Sequence, residues 1–581
     1  MCGLNGILRL TDGAPPVDRE EVLRTRDAMA LRGPDGCGAW FSGDGRIGLG
    51  HRRLAILDLS SAGAQPMASE DGRLRIVLNG EIYNFRELRR ELEGEGHSFR
   101  SQSDTEVLLA LYARDGAAML PRLRGMFALA IWDGAEKTLL LARDPLGIKP
   151  LYYAADGGTL RFASQVKALE RGGGISKETD PAGLAGFLLW GAVPEPWTIR
   201  RAVRALPAGT FLLVVDGRAG EPTPFGHLAP APLPPAEAVE DSVAAHLVSD
   251  VPVAVFLSAG LDSGLIAALA RRHLPEPPVT FTLRFDVLAD TPLDEAPLAA
   301  QVARTLGTRH VERRVGQEDF AALWPEALAA MDQPSIDGLN TFVVSRAARE
   351  AGLKVVLSGL GGDEVFGSYP SFTDVPRGAR IARGAGWLPG TSPAWAGLAR
   401  RLAPDRPKVA GLFRHGGSLA GSYFLRRGLF LPEELPAVMG REAAEEGLRH
   451  YDPVADAARA LNGHADGWLA VHVLETALYM RNQLLRDSDW ASMASSVELR
   501  VPLADARLRS HLAAAGFEPA RSRGKAAFVR SVAPELPAAL FDRPKTGFYI
   551  PVVQWMRPEA AGLRQGEQSR WLARRVLEEM G

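Results

Sequence analysis

Residues 253–264 read VAVFLSAGLDSG, and this stretch decides the fold of the larger half of the chain. The run from Val251 to Leu257 is apolar and rich in valine, the pattern of a strand buried on both faces. A turn of small residues follows, and Leu265 to Arg272 then carries helical spacing. A second run, Leu353–Leu357 (LKVVL), ends in the same way, in SGLGGDEVFGSY from Ser358 to Tyr369. Strands alternating with helices predict a parallel α/β sheet. Such sheets bind ligands at the carboxyl ends of their strands, where both turns fall.

The residues in these turns suggest what binds there. A small-residue turn at a helix N-terminus points backbone N–H groups at an anion, and Ser258, Ser263 and the Ala259–Gly260 step suit a phosphate. Taken alone, the loop also reads as a tight strand–helix turn with no ligand. It is not a Walker A loop, which needs Gly-Lys-Ser/Thr, nor a hydrolase nucleophile elbow, because Phe256 stands two residues before the serine. Asp262 and Asp363 follow the two strands and can meet at one sheet edge. Two carboxylates with phosphate oxygens form a natural Mg²⁺ site.

Upstream the pattern changes. Leu74–Asn79, Ala128–Trp132, Thr138–Ala142 and Thr210–Val215 read as short strands, and Asp18–Arg32 and Thr105–Arg114 as helices. Six prolines lie between Pro222 and Pro235, so that stretch predicts an extended connector. The expected division is a mixed β unit over 1–218, a linker over 219–236 and an α/β unit over 237–581, helical after Gly367.

Across 581 residues the net charge is −2, which offers no basic field for nucleic acid or an anionic membrane. No apolar run reaches the ~18 residues that a membrane span needs. MCGLNGILRL has no basic-then-apolar signal pattern. Two cysteines, Cys2 and Cys37, cannot build a disulfide framework or a paired-cysteine zinc site, and a cytoplasmic setting is expected. Eight lysines stand against 59 arginines, so each lysine is a rare event.

Cys2 directly follows the initiator methionine. Methionine removal would leave a thiol beside a free α-amine of pKa ~7.7–8, a base within reach of its own nucleophile. The plain alternative is a frayed terminus, but Leu4, Ile7 and Leu8 between glycines predict a buried first strand. Downstream come RGPDG (32–36), HRRLAILD (51–58), NGEIYN (79–84) and SDTE (103–106), each gathering polar groups at a turn. Asn79–Gly80 by itself is also a hairpin signal. Cys37 reads as a packed thiol.

With Cys2, these motifs resemble the glutaminase domain of class II glutamine amidotransferases over roughly residues 2–170. The resemblance implies an Ntn-type αββα domain in which Cys2 attacks the glutamine side-chain amide. Asn79 and the Gly80 N–H would form the oxyanion hole, and Arg53, Glu81 and Asp104 would hold the glutamine backbone groups. The second half resembles the PP-loop ATP-pyrophosphatase domain of glutamine-hydrolysing asparagine synthetases, which turn a carboxylate into an acyl-adenylate. By that match Leu257, Ser258, Gly260, Asp262, Ser263, Leu283, Ser358 and Gly359 would bind ATP, with Asp262 and Asp363 on Mg²⁺. Asn482–Asp505 is similar to the family's acceptor-side helix and the turn after it, and Lys525 and Lys545 fall where the family carries lysines, Lys545 as the catalytic one. The implied reaction is glutamine-dependent amidation of a carboxylate, first of all L-aspartate, by a chain for which a homodimer stays open and no nucleic-acid or membrane partner is expected.

The sequence also departs from that family. Ala259 replaces the first glycine of the PP-loop, a change compatible with the loop only at negative φ. Leu360 stands where the family carries a glutamate, and Trp490 where arginine is frequent. The expected acceptor surroundings are Leu360, Glu364, Asp489, Glu498 and Lys525. Leu360 keeps open a relative that amidates another carboxylate, such as a sugar acid or a natural-product intermediate. A pseudo-synthetase that binds ATP and retains only glutaminase activity, and a simple N-terminal-cysteine amidohydrolase, are further alternatives.

Overall fold

The computed structural model describes residues 2–226, 231–385, 407–463, 467–517, 524–543, 555 and 565–580. Two antiparallel sheets stack face to face in the N-terminal half. The first runs Arg204–Ala205, Tyr152–Asp156, Thr159–Ala163, Gly3–Arg9, Ile47–Arg53, Gly36–Phe41. The second runs Arg218–Ala219, Thr210–Val215, Thr138–Arg143, Gly125–Asp133, Leu74–Ile82, Met67–Ala68.

Side-chain alternation explains the layering. Val77, Ala128 and Ala130 point inward against Leu4, Leu8, Leu49 and Phe162 of the facing sheet. Their neighbours Leu78, Phe127 and Leu129 point outward, beneath helices Phe85–Gly94 and Asp104–Asp115. Helices Arg19–Asp27 and Val166–Gly172 cover the other outer face. The result is the four-layered αββα arrangement of an Ntn-type domain. Central strands covered on both faces are why these segments read as unbroken apolar runs.

The predicted helix 18–32 is shorter than its periodicity suggested. Asp18 caps it, accepting from the Glu20 amide at 2.9 Å, and it closes at Asp27. A separate 3₁₀ turn at Ala30–Arg32 then carries Arg32 into the interior. Past residue 218 the second sheet continues, with Arg218–Ala219 and Thr223–Pro224 pairing along Thr210–Val215. Helix Pro235–His246 opens the next unit, its proline in the first turn where no intrahelical N–H is lost.

The second unit holds a five-stranded parallel sheet ordered Arg309–Val315, Val279–Phe285, Val253–Phe256, Val355–Leu357, Glu498–Arg500. The chain leaves Val253–Phe256 on one side, builds two strands, and returns to its other side at Val355–Leu357. That reversal opens a crevice at the carboxyl ends of those two strands. Helices dominate the rest, among them Leu419–Arg427, the π-helical Glu475–Leu485 and Arg486–Met493. Among the described residues, no helix is long and apolar enough to cross a membrane.

Candidate functional site

Cys2 leads directly into the first strand and is buried. Its amide donates to Asn79 Oδ1 at 3.0 Å, and Asn79 Nδ2 lies 3.5 Å from Ser164 Oγ. Burial pushes the Cys2 thiol up from its ordinary value. Asn79 and Gly80 are not in a hairpin turn. Both lie within strand Leu74–Ile82, opposite Ala128 and Phe127. Gly80 has φ +147°, and a Cβ there would sit 2.0 Å from the Met126 carbonyl oxygen, so only glycine fits.

The residues expected to hold glutamine line the same end of the domain. Asp104 accepts from the Ile82 amide at 2.9 Å, and Glu81 is the residue before Ile82. Burial, with Glu498 and Asp104 near, holds the Glu81 carboxyl well above the usual carboxylate range. Arg53 donates to the Ser60 and Leu57 carbonyls at 2.8 and 3.2 Å and also to that of Asp58, bracing the loop 57–60.

Arg32, for which the sequence suggested no role, completes this end. Its Nε donates to the Cys2 carbonyl at 3.0 Å, and its other nitrogens hold Asp489 of the second unit at 2.7 and 3.0 Å. The only sequence signal was its place in RGPDG.

At the sheet crevice a cavity of about 550 Å³ is lined by Leu257, Ser258, Gly260, Asp262, Ser263, Leu283, Ser358, Gly359 and Asp363. Ser258 and Ser263 lock the first loop. Their hydroxyls lie 3.0 Å apart, and Ser263 Oγ accepts from the Ser258 amide at 3.1 Å. Ala259 is buried, and it is not among the described residues with positive φ, so the condition for its methyl is met. Val255 pairs with Leu357, which sets the two loops side by side. The second loop also has to approach closely. A Cβ at Gly362 would come 2.3 Å from the Asp262 carboxylate carbon.

Lys525 Nζ donates to Asp262 Oδ2 at 2.5 Å and to Asp363 Oδ1 at 3.1 Å. Burial opposes its charge, but the two aspartates outweigh that and hold the ammonium above its ordinary range. A single cation thus already bridges both carboxylates, a test that a divalent ion's donor set would also pass. Among the described residues, no three His, Cys, Asp or Glu side chains converge to hold a metal alone, so such an ion would rely on phosphate oxygens as well.

Leu360 lines this cavity. Lys525, also expected around the acceptor, lines it too, whereas Glu364, Asp489 and Glu498 are dispersed. Glu364 is buried behind the loop, where Tyr369 Oη donates to it at 3.1 Å, and burial, then Asp363, raises it to about 7. Asp489 holds Arg32, and Glu498 accepts from Arg500 Nε at 2.6 Å with both side chains fully buried. Trp490 is buried and donates to Asp487 at 2.9 Å. Lys545 lies outside the described residues.

Two family models cover the chain in this same order: a glutamine amidotransferase domain over residues 1–224 and asparagine synthase over residues 236–575. The chain belongs to the glutamine-hydrolysing asparagine synthetase family. Among its relatives, asparagine synthetase 1 of Bacillus subtilis (strain 168) is 31% identical, covering 96% of this chain and 88% of its own. Asparagine synthetase 3 of the same organism is 30% identical over 87% of this chain and 80% of its own. Asparagine synthetase B of Escherichia coli (strain K12) is 32% identical over 66% and 67%. A glutamine amidotransferase domain and an asparagine synthase domain thus stand together in this one chain.

Proposed function

We propose that this chain hydrolyses glutamine at Cys2 and transfers the ammonia to a carboxylate activated as an acyl-adenylate in the 550 Å³ cavity. In the first half-reaction Cys2 Sγ attacks the side-chain amide carbon, Asn79 Nδ2 and the Gly80 N–H stabilise the oxyanion, and ammonia leaves. Water then releases glutamate from the thioester. Glu81 and Asp104 would hold the α-amine of glutamine, and Arg53 its α-carboxylate.

In the second half-reaction an acceptor carboxylate oxygen attacks the α-phosphorus of ATP and pyrophosphate departs. Ammonia then adds to the acyl carbon and AMP leaves. Ser258, Gly260 and Ser263 would cradle phosphate at the helix N-terminus, while Leu257 and Leu283 flank the base. Asp262 and Asp363 would hold Mg²⁺, which when bound offsets the charge of the departing pyrophosphate. Lys525, and Lys545 by its motif, would supply positive charge beside the adenylate.

The observation that carries this reading is the convergence of Asp262 and Asp363 on one cation at the switch point of the sheet. L-Aspartate is the first acceptor to consider, given the relatives' names. A second reading, another carboxylate, is favoured by the apolar Leu360 on the cavity wall. Incubation of the pure protein with glutamine, Mg-ATP and a set of carboxylates tests the proposal. AMP and pyrophosphate formed in step with glutamate support it; ADP and phosphate as products count against it.

A further inference from the structure

The nucleotide cavity does not end at Asp363. Asn340, Asp363 and Ser368 line it, and they also line a second, larger space of about 1100 Å³. Ligand pockets that enclose a drug-sized molecule span roughly 300–1,000 Å³. A four-carbon amino acid would leave most of this chamber filled with water.

The chamber walls are specific in their chemistry. Trp190 and Tyr479 present aromatic surface from two different helices, with the fully buried Tyr423 ring packed 6.0 Å from that of Trp190. Arg427 is clamped beneath them, 3.8 Å from the Tyr479 ring centroid and 4.4 Å from that of Tyr369. Buried Glu475 holds it in place at 2.9 Å. Aromatic faces with a fixed guanidinium suit a planar or ring-bearing ligand.

Lys408 differs from the other cations in the wall. Arg426 pairs with Asp374 at 3.1 Å and Arg570 with Glu434 at 2.9 Å. Lys408 Nζ donates at 2.5 Å to the Gly428 carbonyl, and among the described residues no carboxylate pairs with it. Burial, with Arg570 and Arg426 close by, pulls it down to about 8. An anion placed there would relieve that penalty. Leu360 adds the last observation, since it lines the smaller cavity with an apolar side chain three residues before the shared Asp363.

Resting on the ligase reading above, we propose that the acceptor is a carboxylate on a body far larger than aspartate, bearing a ring and an anionic group. Its acyl end would reach the nucleotide cavity past Asp363, its ring would lie against Trp190 and Tyr479, and its anion would meet Lys408. Glycosyl phosphates of uronic acids belong to this chemical class.

The test compares pyrophosphate release from Mg-ATP with ammonium chloride as nitrogen source, using UDP-glucuronate and L-aspartate as probe acceptors. The expected result is a higher kcat/KM for UDP-glucuronate. In Lys408→Gln its KM should rise by about 10-fold or more, the scale of one charge-assisted hydrogen bond, with kcat and the response to L-aspartate little changed. Tyr479→Leu should weaken UDP-glucuronate in the same way. Preference for L-aspartate, no release with UDP-glucuronate, or a Lys408→Gln variant with unchanged KM overturns the proposal. Amidation of L-aspartate would leave the ligase reading standing, whereas ATP consumption with neither acceptor would count against that reading too.

Discussion

Arg32 and Asp489 lie 457 positions apart in sequence and form a bidentate ion pair at 2.7 and 3.0 Å, both fully enclosed between the two halves of the protein. The third arm of the same guanidinium holds the Cys2 carbonyl. Ser488, the residue before Asp489, lines the proposed nucleotide cavity. The proposed nucleophile is therefore positioned partly by a helix of the synthetase half, and the glutaminase geometry is complete only when both halves are docked.

Removing one partner of this pair should be costly. Asp489→Ala leaves a buried guanidinium unpaired and should destabilise the fold by ~3–5 kcal/mol, measured as a shift in urea midpoint. The double variant Arg32→Met/Asp489→Met should regain most of that stability, because apolar replacements of a buried pair are often neutral. It should not regain glutaminase rate, since the bond to the Cys2 carbonyl is gone.

Cys2→Ala should abolish glutamate formation from glutamine and leave ammonia-dependent amidation intact. Asn79→Ala should lower glutamine turnover by about 10²–10³-fold, the usual cost of one oxyanion donor. Glutaminase activity surviving in Cys2→Ala would remove the assignment of the nucleophile.

Asp262→Asn and Asp363→Asn should each stop acceptor-dependent pyrophosphate release while glutamine hydrolysis persists. Both variants also release Lys525 from one of its two partners. Full synthetase activity in either one would show that the cation site lies elsewhere.

Acid should destabilise the fold through buried imidazoles. Burial lowers His51 and His246 from 6.5 to about 4, so both are neutral in the folded protein at pH 6. The unfolded chain binds protons below pH 6.5 that the fold resists until about pH 4. Stability present above pH 6.5 is therefore lost as pH falls through that window, by up to roughly 3 kcal/mol per ring at 1.36 kcal/mol per pH unit. Urea midpoints at pH 7, 6 and 5 should trace this fall, and His246→Gln should make it shallower.

Leu360→Glu should separate the two acceptor readings. With a large apolar-walled acceptor, the added acid should raise activity toward aspartate and lower it toward the true acceptor. A positioned acid–base group is typically worth ~10²–10⁴ in rate, so a pyrophosphate assay would show the gain. If wild-type protein already forms asparagine at a rate matching its glutaminase, Leu360 does not redirect the enzyme.

Much of this architecture was legible in the sequence because it depends on local rules. The valine-rich run 253–256 could be buried only on both faces, and its small-residue turn could start only a helix that presents its N–H groups. The order of Cys2, RGPDG, NGEIYN and SDTE marked a domain whose polar loops gather at one end. The presence of Asp262 and Asp363 beyond two strand ends was equally readable, since each follows its own strand across one short small-residue turn.

Other features depended on which strands and helices become neighbours, and no local pattern encodes that. Pairing of Val255 with Leu357 brings the two aspartates onto one ammonium, and the strand order that produces it is a property of the whole sheet. Asn79–Gly80 has the composition of a hairpin turn, yet nine-residue pairing with Gly125–Asp133 makes it strand, because the ladder's hydrogen bonds and burial outweigh the turn preference. Asp489 and Glu498 read as acceptor-side acids from their motif, but docking of the two halves places Asp489 against Arg32, while Glu498 pairs with Arg500 of its own strand. A buried charge takes the partner that desolvation makes indispensable, and only the tertiary structure decides which partner comes within reach.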